Sequence, residues 1–83
     1  MNERVIEKIK ETLKNEEVTS KRITRALRCL ECNYFQGAID ACDLALRDAE
    51  IIEQRLAIMA LKELAAKRDK ELIEEFLKKA YEI

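Results

Sequence analysis

Three thiols are the side chains best suited to chemistry in this chain. Cys29, Cys32 and Cys42 all lie within RCLECNYFQGAIDACDLALRD (Arg28 to Asp48), which also carries the single glycine. Cys29 and Cys32 form a C-x-x-C pair. A structural zinc takes four ligands, so three cysteines without histidine would need a carboxylate such as Asp40 or Asp43 to complete the set. An iron–sulfur cluster asks for four thiolates. A redox C-x-x-C opens a helix, where the positive end lowers the thiol pKa. Here the pair falls in the last turn of a predicted helix, where the negative end raises it. Free cysteine otherwise packs as a small apolar residue, and Cys42 occupies an inward slot suited to leucine. The expectation is therefore core packing by all three thiols, with no metal and no cofactor.

A second constellation is basic. TSKRITRALR (Thr19 to Arg28) holds Lys21, Arg22, Arg25 and Arg28 and no acid. Lys21, Arg25 and Arg28 follow i, i+4, i+7, which makes one row on a helix. Such a row suits phosphate, RNA or an acidic partner. It equally suits pairing with Asp40, Asp43, Asp48, Glu50 and Glu53 within the domain. No aromatic residue interleaves the row, as a base-stacking surface would require. Enzyme chemistry finds no support: histidine is absent, Ser20 is the only serine, and Gly37 alone cannot form a phosphate loop. The expected protein is not an enzyme.

The elements that position these residues follow from composition. The chain has 83 residues, no proline, one glycine and 40% charged residues, with 48% hydrophobic. That length holds one small domain, and so few helix breakers predict an all-α fold. Sixteen basic and seventeen acidic residues leave a net charge of −1, which gives no overall pull toward nucleic acid or anionic membrane. No apolar run nears the ~20 residues of a membrane span. MNERVIEKIKE lacks the features of a secretion signal. The expectation is a cytoplasmic protein with reduced thiols.

Apolar periodicity predicts five helices. The first, 2–14, has Val5, Ile6, Ile9 and Leu13 inward. The second, 16–32, buries Val18, Ile23, Ala26, Leu27 and Leu30. The third, 34–47, turns Phe35, Ala38, Ile39, Cys42, Ala45 and Leu46 to the core. The fourth, 49–67, is predicted to bury Ile51, Ile52, Leu56, Met59, Ala60 and Leu64. The fifth, 70–81, buries Leu72, Ile73, Phe76, Leu77 and Ala80. Asn15, Asp48 and Asp69 are the predicted caps. Outer faces carry i, i+4 pairs such as Asp43 with Arg47, Glu63 with Lys67 and Glu75 with Lys79.

The chain also echoes itself. NEEVTSKRITRALRCL lies over DAEIIEQRLAIMALKEL, with Asn15, Glu17, Val18, Arg22 and Ile23 matching Asp48, Glu50, Ile51, Arg55 and Leu56 at one offset (48 − 15 = 33). A two-helix period of this length is typical of stacked helical hairpins. At Asp48, Glu50, Arg55, Ala60, Leu61 and AIDACDLALRD the chain resembles the short class of HEAT-like helical repeats. AIDACDLAL is also similar to the second helix of a tetratricopeptide repeat. The resemblance implies a leading helix 2–14 and two stacked hairpins, 16–47 and 49–81, in a small α-solenoid-like domain. It implies a scaffold that binds another protein or a second copy of itself. The short stack leaves its end helices poorly covered, so Leu72 and Phe76 join Lys21, Arg25 and Arg28 as candidate contact residues. A small nucleic-acid binder using the basic row is the alternative.

Overall fold

The structure, a computed structural model, describes residues 3–15 and 17–81. It is all-α. Among the described residues five helices run in order: α1 (Glu3–Lys14), α2 (Val18–Glu31), α3 (Phe35–Asp48), α4 (Ile52–Lys67) and α5 (Lys70–Ala80). The predicted helix starts at Asn2 and Glu16 lie outside the described residues.

The helix ends have identifiable local causes. After α2, Asn33 adopts the left-handed conformation at φ 57°. The Tyr34 N–H then donates to Cys29 O at 2.8 Å and the Asn33 N–H to Leu30 O at 3.1 Å. This is the Schellman closure, which satisfies the last carbonyls of a helix and favours glycine or asparagine at the left-handed residue. At α5, Asp69 is the N-cap expected from sequence, its carboxylate accepting from the Glu71 and Leu72 N–H groups at 3.1 and 3.2 Å. The other two predicted caps differ. Glu17 occupies the N-cap of α2, so Asn15 serves only as the break after α1. Asp48 closes α3 instead of opening α4, whose N-cap is Ile51 with no side-chain cap bond.

A side chain in the first turn of α4 ties it to the end of α3. The Arg55 guanidinium reaches back and donates to Leu46 O at 2.6 Å and Ala49 O at 2.8 Å, closing the C-terminal end of α3. The Ser20 hydroxyl donates to Leu13 O near the end of α1, 3.3 Å away. Buried Gln54 donates to Glu17 at 3.3 Å. Unmatched helix-terminal carbonyls are costly to bury, so the Ser20 and Arg55 bonds help to set how α2 follows α1 and α4 follows α3.

The core is built from aliphatic side chains and alanine. Ile6 and Ile9 of α1, Ile23, Leu27 and Leu30 of α2, Ile58 and Leu61 of α4, and Ile73 and Phe76 of α5 are buried. From α3 come Ala38, Ala41, Cys42 and Ala45. Small side chains let two helix axes approach closely, and α2–α3 is the most extensive pairing in the fold. By contrast α4 and α5 touch only sparingly, while α1 packs on α2, α4 and α5 together. The two helix pairs therefore pack to unequal extents, with α1 in contact with α2, α4 and α5. The Cα radius of gyration, 11.1 Å, is close to the ~12 Å of a compact globule of this length.

Candidate protein-docking face

The residues expected to bind lie in three places, and the most exposed apolar surface lies in a fourth. Lys21, Arg25 and Arg28 are exposed along α2. Their neighbour Arg22 approaches Asp48 at 3.6 Å, yet no ion pair among the described residues engages the row itself. The acidic residues expected to neutralise it are partly engaged elsewhere: Asp43 holds Lys62 at 2.6 Å and Glu53 lies 3.6 Å from Lys8. The Asp43 hydrogen bond raises the Lys62 pKa, since it favours the ammonium form.

The thiols do not converge. Cys42 is buried, Cys29 half-buried and Cys32 exposed. Core packing thus describes Cys42 and part of Cys29. It fails for Cys32, which stands at the C-cap of α2, where the side chain of the last turn already points to solvent. Among the described residues no group of three or more Cys, Asp or Glu is placed to hold a metal ion. Burial pushes the Cys42 thiol up to about 12, with the neighbouring Asp43 charge adding to the effect. A thiol held neutral in this way is a poor nucleophile at neutral pH. Gly37 has a packing role in the same stretch. A Cβ there would lie 2.6 Å from the Tyr34 ring and 3.0 Å from Cys29 Sγ.

The two α5 candidates separate. Phe76 is a core residue at 2% exposure, so it is unavailable to a partner, whereas Leu72 stays at the surface. The reason is that α1 lies against α5 and covers the stripe that a bare end helix would have shown.

The largest departure from the sequence reading is α4. Its buried residues are Gln54, Ala57, Ile58, Leu61, Leu64 and Ala65. Of the residues expected inward, only Leu64 is buried. Ile51, Ile52, Leu56 and Met59 stand outward at 56%, 72%, 59% and 52% exposure, and Val18 is outward on α2 as well. The helix is apolar on both faces, so periodicity alone cannot choose between them. Polar anchors decide it: Gln54 must reach Glu17 and Arg55 must reach the end of α3. Ala57 and Ala65 on the inward side also permit closer packing than Leu56 and Met59 would.

The result is an outward row, Ile52, Leu56 and Met59, at i, i+4, i+7. Beside it runs a groove of about 290 Å³ between α1 and α4, lined by Arg4, Val5, Lys8, Glu53, Leu56 and Ala57. Arg4 and Lys8 on one wall and Glu53 on the other give the groove charged rims around an apolar floor. No helix among the described residues is long and apolar enough to cross a membrane.

Comparison with protein-family models, with curated proteins and with solved structures yields no match to this chain.

Proposed function

We propose that this protein is a non-enzymatic interaction module that docks an amphipathic helix of a protein partner along the outward face of α4. The observation that carries this reading is that α4 is apolar on both sides. A helix of that kind belongs inside a core, yet here one side is packed and the other faces solvent. Clustered apolar residues with charged rims are characteristic of docking surfaces. The anchors Ile52, Leu56 and Met59 have the spacing with which a helix recognises a helix, and Met59 adds an adaptable side chain.

The reading is tested by placing a photoreactive amino acid at position 56 and, separately, at position 25, and irradiating the protein in extract of its source. Protein adducts at 56 that are competed by excess unlabelled wild-type chain, but not by Leu56→Glu, support it. Absence of protein adducts at 56 overturns it.

One observation favours a second reading, that of a nucleic-acid binder. Lys21, Arg25 and Arg28 form an exposed row that no ion pair among the described residues engages. Three phosphate contacts would give a slope of log K against log salt of about −2 to −3. Nucleic-acid adducts at position 25 together with that slope would favour this reading over the first.

A further inference from the structure

We infer that the basic row of α2 receives a single-stranded nucleic acid, with Lys21, Arg25 and Arg28 on its phosphates and Tyr34 and Tyr81 stacking on its bases. This rests on the second reading above and names the form of nucleic acid. The face involved shares no residue with the outward side of α4.

No aromatic residue lies within the row in sequence, but the fold brings two to its end. Tyr34 and Tyr81 are 61% and 49% exposed, and they are the only tyrosines in the chain. Tyr34 follows the last turn of α2, its N–H donating to Cys29 O. Because Gly37 has no side chain, one edge of the Tyr34 ring seats there beside Cys29 Sγ. Tyr81 comes from the far end of the chain, at the C-cap of α5, a helix that packs on α2. Partial burial and the nearby Glu31 carboxylate push its phenol up to about 12, while Arg28 acts against them. The last cation of the row is thus close to an exposed aromatic ring.

The row itself is open to an anion. Its three cations span about 10 Å along the helix, and no acidic residue lies between them. All three are exposed, and none is held in an ion pair among the described residues. The acids that flank the row have other neighbours: Glu17 accepts from Gln54, and Glu31 lies by Tyr81. A phosphate backbone therefore displaces no existing partner of the row.

The tyrosines decide which polyanion fits. A duplex keeps its bases stacked and paired, so it would use the cations and leave the rings idle. An acidic peptide would do the same. A single strand offers base faces, and stacking on an exposed aromatic ring accepts any base.

Fluorescence anisotropy of three labelled probes tests this: an oligouridylate of about 12 nucleotides, an RNA duplex of the same length, and polyglutamate. Each is titrated with the reduced full chain at about 50 mM salt and above. The single strand should bind about fivefold or more tighter than the duplex, with a slope of log K against log salt of about −2. Arg25→Ala should make that slope shallower by about 0.7. Tyr81→Ser should weaken single-strand binding about fivefold or more at unchanged slope, and Tyr81→Phe should restore it. Tyr34→Ser takes its place if Tyr81→Ser does not fold. Without tryptophan, intrinsic emission comes from these two tyrosines, and it should fall as unlabelled strand is added.

Equal affinity for duplex and single strand leaves nucleic-acid binding standing and overturns the single-strand form. A folded Tyr81→Ser chain that binds like wild type overturns the stacking. Polyglutamate bound as tightly as the oligouridylate, or no binding of any probe, overturns this inference and the reading beneath it together.

Discussion

The α2–α3 pair and helix α4 solve the same problem in different ways. In α2 and α3 the apolar and polar residues are segregated, so each helix has one face to bury. Ala38, Ala41 and Ala45 set a close approach, and Asn33 turns the chain between the two helices. Helix α4 carries Ala57, Ile58, Leu61 and Ala65 on one side and Ile52, Leu56 and Met59 on the other. Either side could have served as core. In the observed orientation two polar side chains, Gln54 and Arg55, find partners at Glu17 and at the end of α3. The difference teaches that a helix with a single apolar stripe is positioned by burial. One with two stripes is positioned by its hydrogen bonds and keeps a stripe to spare.

The sharpest way to break this contrast is a pair of truncations on α4. Leu61→Ala removes a fully buried side chain and should cost about 2–5 kcal/mol. Leu56→Ala should stay within about 0.5 kcal/mol, as surface changes do. Urea unfolding of both variants decides it, and equal losses would mean that α4 is turned the other way.

The α2–α3 pair is probed next by Asn33→Val. A β-branched residue resists the left-handed conformation, so this change should cost about 1–2 kcal/mol without altering α4. Chemical denaturation of the variant measures the cost.

Alkaline titration sharpens the contrast further, because the buried thiol lies in α3. Below the ordinary cysteine value of 9.0 the thiol is protonated in both folded and unfolded chains, and its contribution to stability is intact. Above 9.0 the unfolded thiol ionises while the folded one keeps its proton up to about 12, so stability falls as pH rises across that window. The decline should not exceed about 1.4 kcal/mol per pH unit for this group. Cys42→Val should flatten it between pH 9 and 10, as unfolding midpoints at pH 8, 9 and 10 would show.

The smallest effect expected is at the bridge between the two regions. Lys62→Gln breaks the partly exposed contact with Asp43 and should cost less than about 1 kcal/mol, shrinking further in high salt. A thermal melt at two ionic strengths checks it.

Much of the fold was legible in the sequence. The absence of proline, the single glycine and the 3.6-residue periodicity gave the all-α class and five helices close to their observed ends. The inward faces of α1, α2, α3 and α5 also followed largely from periodicity, apart from Val18 and Leu72. The α4 face did not, because two apolar stripes give no preferred direction. A signal was present in Gln54 and Arg55, polar residues that must find partners near the start of the helix. Asp48 misled for a related reason: a good capping residue at the end of one helix reads like the cap of the next. Equivalence of the two helix pairs could not be judged from matched residues, since packing depends on where α1 lies. The basic row was placed on the surface correctly, whereas Phe76 was offered for binding because the cover supplied by α1 is a tertiary fact.

The account depends most on the outward face of α4 being a contact surface and not core. Its most direct test is the rate at which a thiol at Leu56→Cys is alkylated, resolved by mass spectrometry from the native cysteines, over a series of protein concentrations. Rapid labelling, close to that of an exposed thiol, is the predicted result. A thiol protected equally at every dilution would contradict the account, because position 56 would then lie in the core of the single chain.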